Sequence, residues 1–236
     1  MLTAIGLTPS APVLVPELAG AAAAEVAEFR DGALAAAAAL PDRWIAVGVG
    51  PAERVIEPDS RGTFAGYGAD VAVSLSPQPD TDLAALPLCA VFAGWLRGQV
   101  RPQARLQVRV FPADCPADAA VAHGRALRAE IDAAAEPTGV LIVADGANTL
   151  TQSAPGGYDP AAQPVQDALD DALASGAGAA LTRLPDWVIG RVPYQVLAGL
   201  APGPVRATEF VRGAPYGVGY FVGTWVPLPE SVPASR

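Results

Sequence analysis

Residues 140–159, VLIVADGANTLTQSAPGGYD, limit the possible folds more than any other stretch of the chain. The opening VLIVA is short, apolar and free of charge, the pattern of a strand buried on both faces. Strands of that kind belong to sheets covered by helices on either side. The apolar run passes directly into a polar loop with three glycines. In open α/β sheets the loop beyond a strand's carboxyl end is where ligands are bound.

The rest of the chain alternates strand-like and helical patterns to match. Residues 2–7, 43–49, 71–75, 105–111, 139–144, 208–211 and 217–226 read as strands; 105–111 alternates apolar and polar residues like a strand with one wet face. Residues 17–40, 116–135, 161–175 and 179–200 read as helices, and Thr81 or Asp82 is placed to cap another running to about residue 100. This order predicts an α/β layered fold with a central mixed β-sheet flanked by helices. At 236 residues one domain, 1–226, is expected, with a loose proline-bearing tail over 227–236.

Charge excludes some partners. The net charge is −9, and all fifteen basic residues are scattered arginines, so neither nucleic acid nor an anionic membrane is an expected partner. Mean hydropathy is positive at +0.30, but alanine supplies much of it, and no stretch offers the roughly 20 uncharged apolar residues of a membrane span. The first residues lack the basic start of a signal peptide, and the two cysteines, Cys89 and Cys115, form no disulfide or CxxC pattern. A cytoplasmic location is the expectation, with both cysteines as small buried hydrophobes.

Catalytic motifs are scarce. The single histidine, His123, lies within a predicted helix, where it is either a lone general base facing a pocket or an ordinary helical residue. One histidine cannot supply a two-histidine metal site within one chain. Ser10, Ser60, Ser74, Ser76 and Ser153 lack a nucleophile-elbow context, and without lysine there is no Walker A site. Gly217 and Gly219 sit in a strand-like run and point to a bulge or close backbone packing. Carboxylates remain: Asp145 where the strand meets its loop, Glu17 after the first strand, and Asp159 beside Tyr158 at the loop's end. Such groups either do acid–base work, hold a hard cation, or cap helices and turns.

Four segments, in order, resemble the class III extradiol ring-cleavage dioxygenases of the catalytic B-subunit type, in particular an actinobacterial single-domain branch. They are residues 7–20 (LTPSAPVLVPELAG), 46–51 (AVGVGP), 141–149 (LIVADGANT) and 214–225 (APYGVGYFVGTW). The resemblance implies Fe(II) held by two histidines and a glutamate, with another histidine as acid–base catalyst. Carried onto this chain, the first iron histidine falls on Ser10, the second near Ala52 and the catalytic one on Thr149; Glu209 is the candidate glutamate. Serine, alanine and threonine do not replace imidazole as iron ligands.

The expectation is therefore a protein of this family's shape without its iron chemistry and with no metal or cofactor. Ser10, Glu17, Ala52, Asn148 and Tyr216 would line a cleft for a small polar ligand or a partner, with Asp145, Thr149 and His123 as the candidate catalytic groups. The alternatives are an enzyme of another class, metal-free or Mg²⁺-dependent and based on carboxylates, or a dioxygenase that borrows histidines from a partner subunit. A homo-oligomer is possible through the aromatic run Tyr220, Phe221 and Trp225, which equally suits a core strand.

Overall fold

The computed structural model describes residues 1–229. Strand β1 (Leu2–Thr8) leads through a 3-10 turn to α1 (Pro16–Ala19), and α2 (Ala27–Ala38) precedes β2 (Arg43–Val49). Three short strands follow, β3 (Arg54–Ile56), β4 (Arg61–Thr63) and β5 (Ala72–Ser74), then α3 (Leu88–Val100) and β6 (Arg105–Phe111). Helix α4 (Ala117–Ala133) and β7 (Thr138–Val143) lead into α5 (Ala162–Ser175), α6 (Gly178–Leu181) and α7 (Arg191–Leu200). Strands β8 (Val205–Gly213) and β9 (Tyr220–Pro227) close the fold.

The result is a layered α/β fold with a central seven-stranded mixed sheet in the order β3-β6-β2-β7-β1-β9-β8. Strands β6, β2, β7 and β1 are parallel; β3 pairs antiparallel with β6 at one edge, and at the other β9 is antiparallel to both β1 and β8, so β8 runs in the direction of β1. Strand alternation divides the core in two. Trp44, Ala46, Leu141 and Val143 face α2 and α3. Ile5, Leu7, Ile45, Val47, Val140 and Ile142 face α4, α5 and α7. Because both faces are covered, β7 is buried at all six positions, which explains the uninterrupted apolar run from Val140 to Val143.

The segment after β1 leads to α2 on one face, whereas the segment after β7 leads to α5 on the other. Neighbouring parallel strands whose connections leave to opposite faces open a crevice between their carboxyl ends. In this chain that switch point falls between Thr8-Pro9-Ser10 and Ala144-Asp145-Gly146.

Three expected helices start or break elsewhere. The helix over 17–40 is interrupted because Gly20 adopts φ 53°, outside the right-handed helical region, and regular helix resumes only at Ala27. The third helix begins at Leu88, after Pro87, and Thr81 instead donates to the Asp59 carbonyl at 2.7 Å. The helix over 179–200 splits into α6 and α7 around Pro185, which lacks an amide hydrogen and disfavours helix at Leu184. The first residues of the tail pack on the fold: β9 runs through Pro227, and the Leu228 amide donates to the Pro204 carbonyl at 3.0 Å. Residues 230–236 lie outside the described residues.

The cysteines are free and buried, and burial pushes the Cys89 thiol up to about 12. Tyr220, Phe221 and Trp225 are buried, so this run fills the core of a closing strand and presents no docking face. Among the described residues no helix is long and apolar enough to cross a membrane.

Candidate functional site

Asp145 is the second residue beyond β7, at the switch point, and its Oδ1 accepts a 2.8 Å hydrogen bond from the Ser10 amide of the segment after β1. Burial pushes its carboxyl up to about 6, against the lowering effect of that bond. Nearby Tyr194 is fully covered and donates its hydroxyl to the Ala144 carbonyl at 3.0 Å. Burial, with the Asp145 charge second, raises the phenols of both Tyr194 and Tyr220.

The backbone of the loop is tied down on three sides. The Gly146 amide donates to the Gly219 carbonyl, the Gly219 amide to Ala147 and the Leu150 amide to Gly217, at 2.8, 2.7 and 3.1 Å. The Gly190 amide, just before α7, donates to the Asp145 carbonyl at 2.8 Å. The Ala147 amide is held by Gln166 Oε1 at 2.8 Å, and Gln166 Nε2 donates to Asp170 Oδ1, also at 2.8 Å. Gln166 is wedged between two glycines: a Cβ at Gly146 or Gly219 would come within 2.1 or 2.2 Å of its carboxamide. This is the close packing that the Gly217–Gly219 run predicts. Gln166, Asp170 and Tyr194 escape sequence reasoning, although Gln166 and Asp170 share the apolar face of α5 with Leu169 and Leu173, a placement that marks buried polar groups.

The other candidates divide sharply. Thr149 Oγ1 is buried without a hydrogen-bond partner, and the Thr149 carbonyl accepts from the Asp159 amide at 2.9 Å. Asn148 is committed to the loop: its carbonyl accepts from the Gly156 amide at 3.0 Å and its side chain lies over that glycine. Asp159 accepts from the Ala161 amide at 2.9 Å and so caps the approach to α5, while Tyr158 is exposed. Tyr216 is the one described non-glycine residue with positive φ, 57°, and its exposed ring donates to Glu25 Oε2 at 2.7 Å. Glu17 and Ala52 are exposed, and among the described residues Glu17 makes no hydrogen bond or ion pair. The pairing of Glu17 with Asp145 as carboxylate partners therefore finds no contact in the fold. Of the candidate serines, Ser74 accepts from the buried Arg97 at 3.0 Å in a structural clamp.

The donor set does not fit a ferrous site. His123 packs on Phe111 of β6, ring centroids 4.8 Å apart, in a groove beside β3. Glu209 is on β8, at the opposite edge of the sheet, beside Arg212. Five strand spacings separate β6 from β8, about 24 Å, so these two residues cannot share an ion. Among the described residues no three His, Cys, Asp or Glu side chains gather as a metal-binding group.

The fold and site define a layered α/β protein with a carboxylate at the sheet's switch point. The sequence matches no family model and no curated protein. The structure is similar to the crystal structure of the uncharacterized protein JW3007 from Escherichia coli K12, with a TM-score of 0.57 and 11% identity over 95% of this chain and 99% of that one. At that identity the likeness is one of fold.

Proposed function

We propose that this chain is an extradiol-dioxygenase-like protein that performs no iron-dependent oxygenation and binds a small polar ligand in the crevice between β1 and β7. The observation that carries the reading is Asp145, a desolvated carboxylate at the switch point, fixed by the Ser10 amide. A ligand hydroxyl or amine would compensate that desolvation by donating to the carboxylate. The positions where the resemblance expects imidazoles hold Ser10, Ala52 and Thr149, which supports loss of the iron centre.

A second reading is favoured by the same carboxyl: at about 6 it is close to neutrality, the range in which a group both accepts and releases protons efficiently. Asp145 would then be the general base of a metal-free enzyme.

Elemental analysis of the purified protein, with oxygen uptake on an ortho-dihydroxyaromatic, tests the first reading. No stoichiometric iron and no uptake are expected; one iron per chain with uptake would overturn it. A thermal-shift screen of hydroxylated and amino metabolites, repeated on Asp145→Asn, then tests the crevice. Stabilisation by a compound that vanishes in the variant supports it, and stabilisation unchanged by the variant refutes it. Turnover of such a compound, lost in Asp145→Asn, selects the second reading.

A further inference from the structure

We propose that the cavity between α5 and the end of β8 is a binding site for a small organic ammonium ion, a protonated alkylamine, held by the carboxylate of Asp170. The cavity has a volume of about 490 Å³ and lies between one face of α5, from Gln163 to Asp171, and the segment Arg212-Gly213-Ala214. It is separate from the switch point at Asp145 and does not depend on the reading given for that residue.

Asp170 is 7% exposed, and among the described residues it forms no ion pair. Its Oδ1 accepts from Gln166 Nε2 at 2.8 Å. Its Oδ2 accepts no hydrogen bond from a described residue, yet it is not sealed off and reaches the cavity that Asp170 lines. A carboxylate stripped of most of its water and left without a counter-ion is unfavourable. Alone, the group meets this cost by holding its proton, and burial pushes the carboxyl up to about 7. An ammonium group that donates to Oδ2 supplies the missing hydrogen bond and the missing charge together.

The surrounding charge has the sign that a cation requires. Asp167, Asp170 and Asp171 line the cavity against a single arginine, Arg212. Arg212 is itself committed, to Asp171 at 2.8 Å and to Glu209 at 3.4 Å, which leaves Asp170 uncompensated. Gln163 adds a neutral acceptor on the same wall: its Nε2 donates to Asp167 at 2.8 Å, so its Oε1 remains available. Among the described residues these carboxylates do not gather as a metal-binding group. The separate N–H donors of an ammonium ion match such spread acceptors better than a bare divalent cation, which needs several oxygens converging on one point.

The charged and titratable groups around Asp170 are Asp167 and Asp171 on α5, Glu209 and Arg212 on β8, and Tyr194 on α7. Arg212 and Tyr194 have raised pKa values and keep their protons between pH 6 and 8. Because an ammonium ion selects the ionised form of Asp170, binding should be about tenfold tighter at pH 8 than at pH 6, following the ionised fraction of a group near 7. An alkylamine stays protonated across that interval.

The test is an NMR titration of the intact protein with propylammonium chloride at constant ionic strength, with tetramethylammonium, which has charge but no N–H donor, as control. The Gln163 and Gln166 side-chain amide signals are expected to shift saturably with propylammonium and not with the control. Asp170→Asn keeps the acceptor for Gln166 Nε2, so the fold is retained, and should weaken binding at pH 8 at least about tenfold. No saturable shift up to about 50 mM propylammonium at pH 8 overturns the proposal. So does an equal response to tetramethylammonium, or binding that neither Asp170→Asn nor the change to pH 6 weakens.

Discussion

Replacing Asp170 by Asn tests the relay that holds the Asp145 loop. Asp170 is 7% exposed, and burial pushes its carboxyl from 3.8 up to about 7, against the lowering effects of Gln166 and Arg212. The folded protein therefore keeps a proton that the unfolded chain releases near 3.8, and the stability this confers is lost as pH rises from about 4 through 7. A difference of about three units at 1.36 kcal/mol each corresponds to about 4 kcal/mol at pH 8. Asn keeps the acceptor for Gln166 Nε2 while removing the charge. The variant should be more stable than the parent by that order at pH 8, about 10 °C in Tm for a chain of this size. Near pH 4, where the parent carboxyl is also neutral, the advantage should disappear. Thermal unfolding by circular dichroism from pH 4 to 8 measures it. A Tm difference independent of pH, or a variant less stable at pH 8, would refute the desolvation argument.

Asp145 should titrate near 6 in carboxyl ¹³C NMR, a transition missing from Asp145→Asn; an ordinary value near 4 would show that the crevice is wet. Gly199→Ala should cost at least about 3 kcal/mol, because its Cβ would lie 2.0 Å from the Val121 carbonyl oxygen where α4 and α7 touch; chemical denaturation measures it. Tyr216→Phe, losing only an exposed hydroxyl contact to Glu25, should leave the denaturation midpoint unchanged in the same assay.

Much of the sheet is legible along the chain. The strands at Arg43–Val49 and Arg105–Phe111 fall where period and composition place them, because burial on a sheet face imposes its pattern on adjacent residues. The Asp145 position is legible for the same reason: a charged residue directly after a buried apolar run marks a strand's carboxyl end. The interruptions at Gly20 and Pro185 were visible as residue types, but alanine's helical tendency extends across both, and only packing decides whether a helix resumes.

Length, alternation and the apolar run at 140–144 thus determined a layered α/β chain with a carboxylate at a strand tip, since local patterns record which face of each element is buried. The tertiary structure alone decided what surrounds that carboxylate. It set Ser10 against Asp145, Gln166 between Gly146 and Gly219, and Asp170 in one cavity with Arg212. It also put His123 and Glu209 at opposite edges of the sheet. Those pairings join residues far apart in the chain through strand order and crossover direction, quantities that no local periodicity encodes.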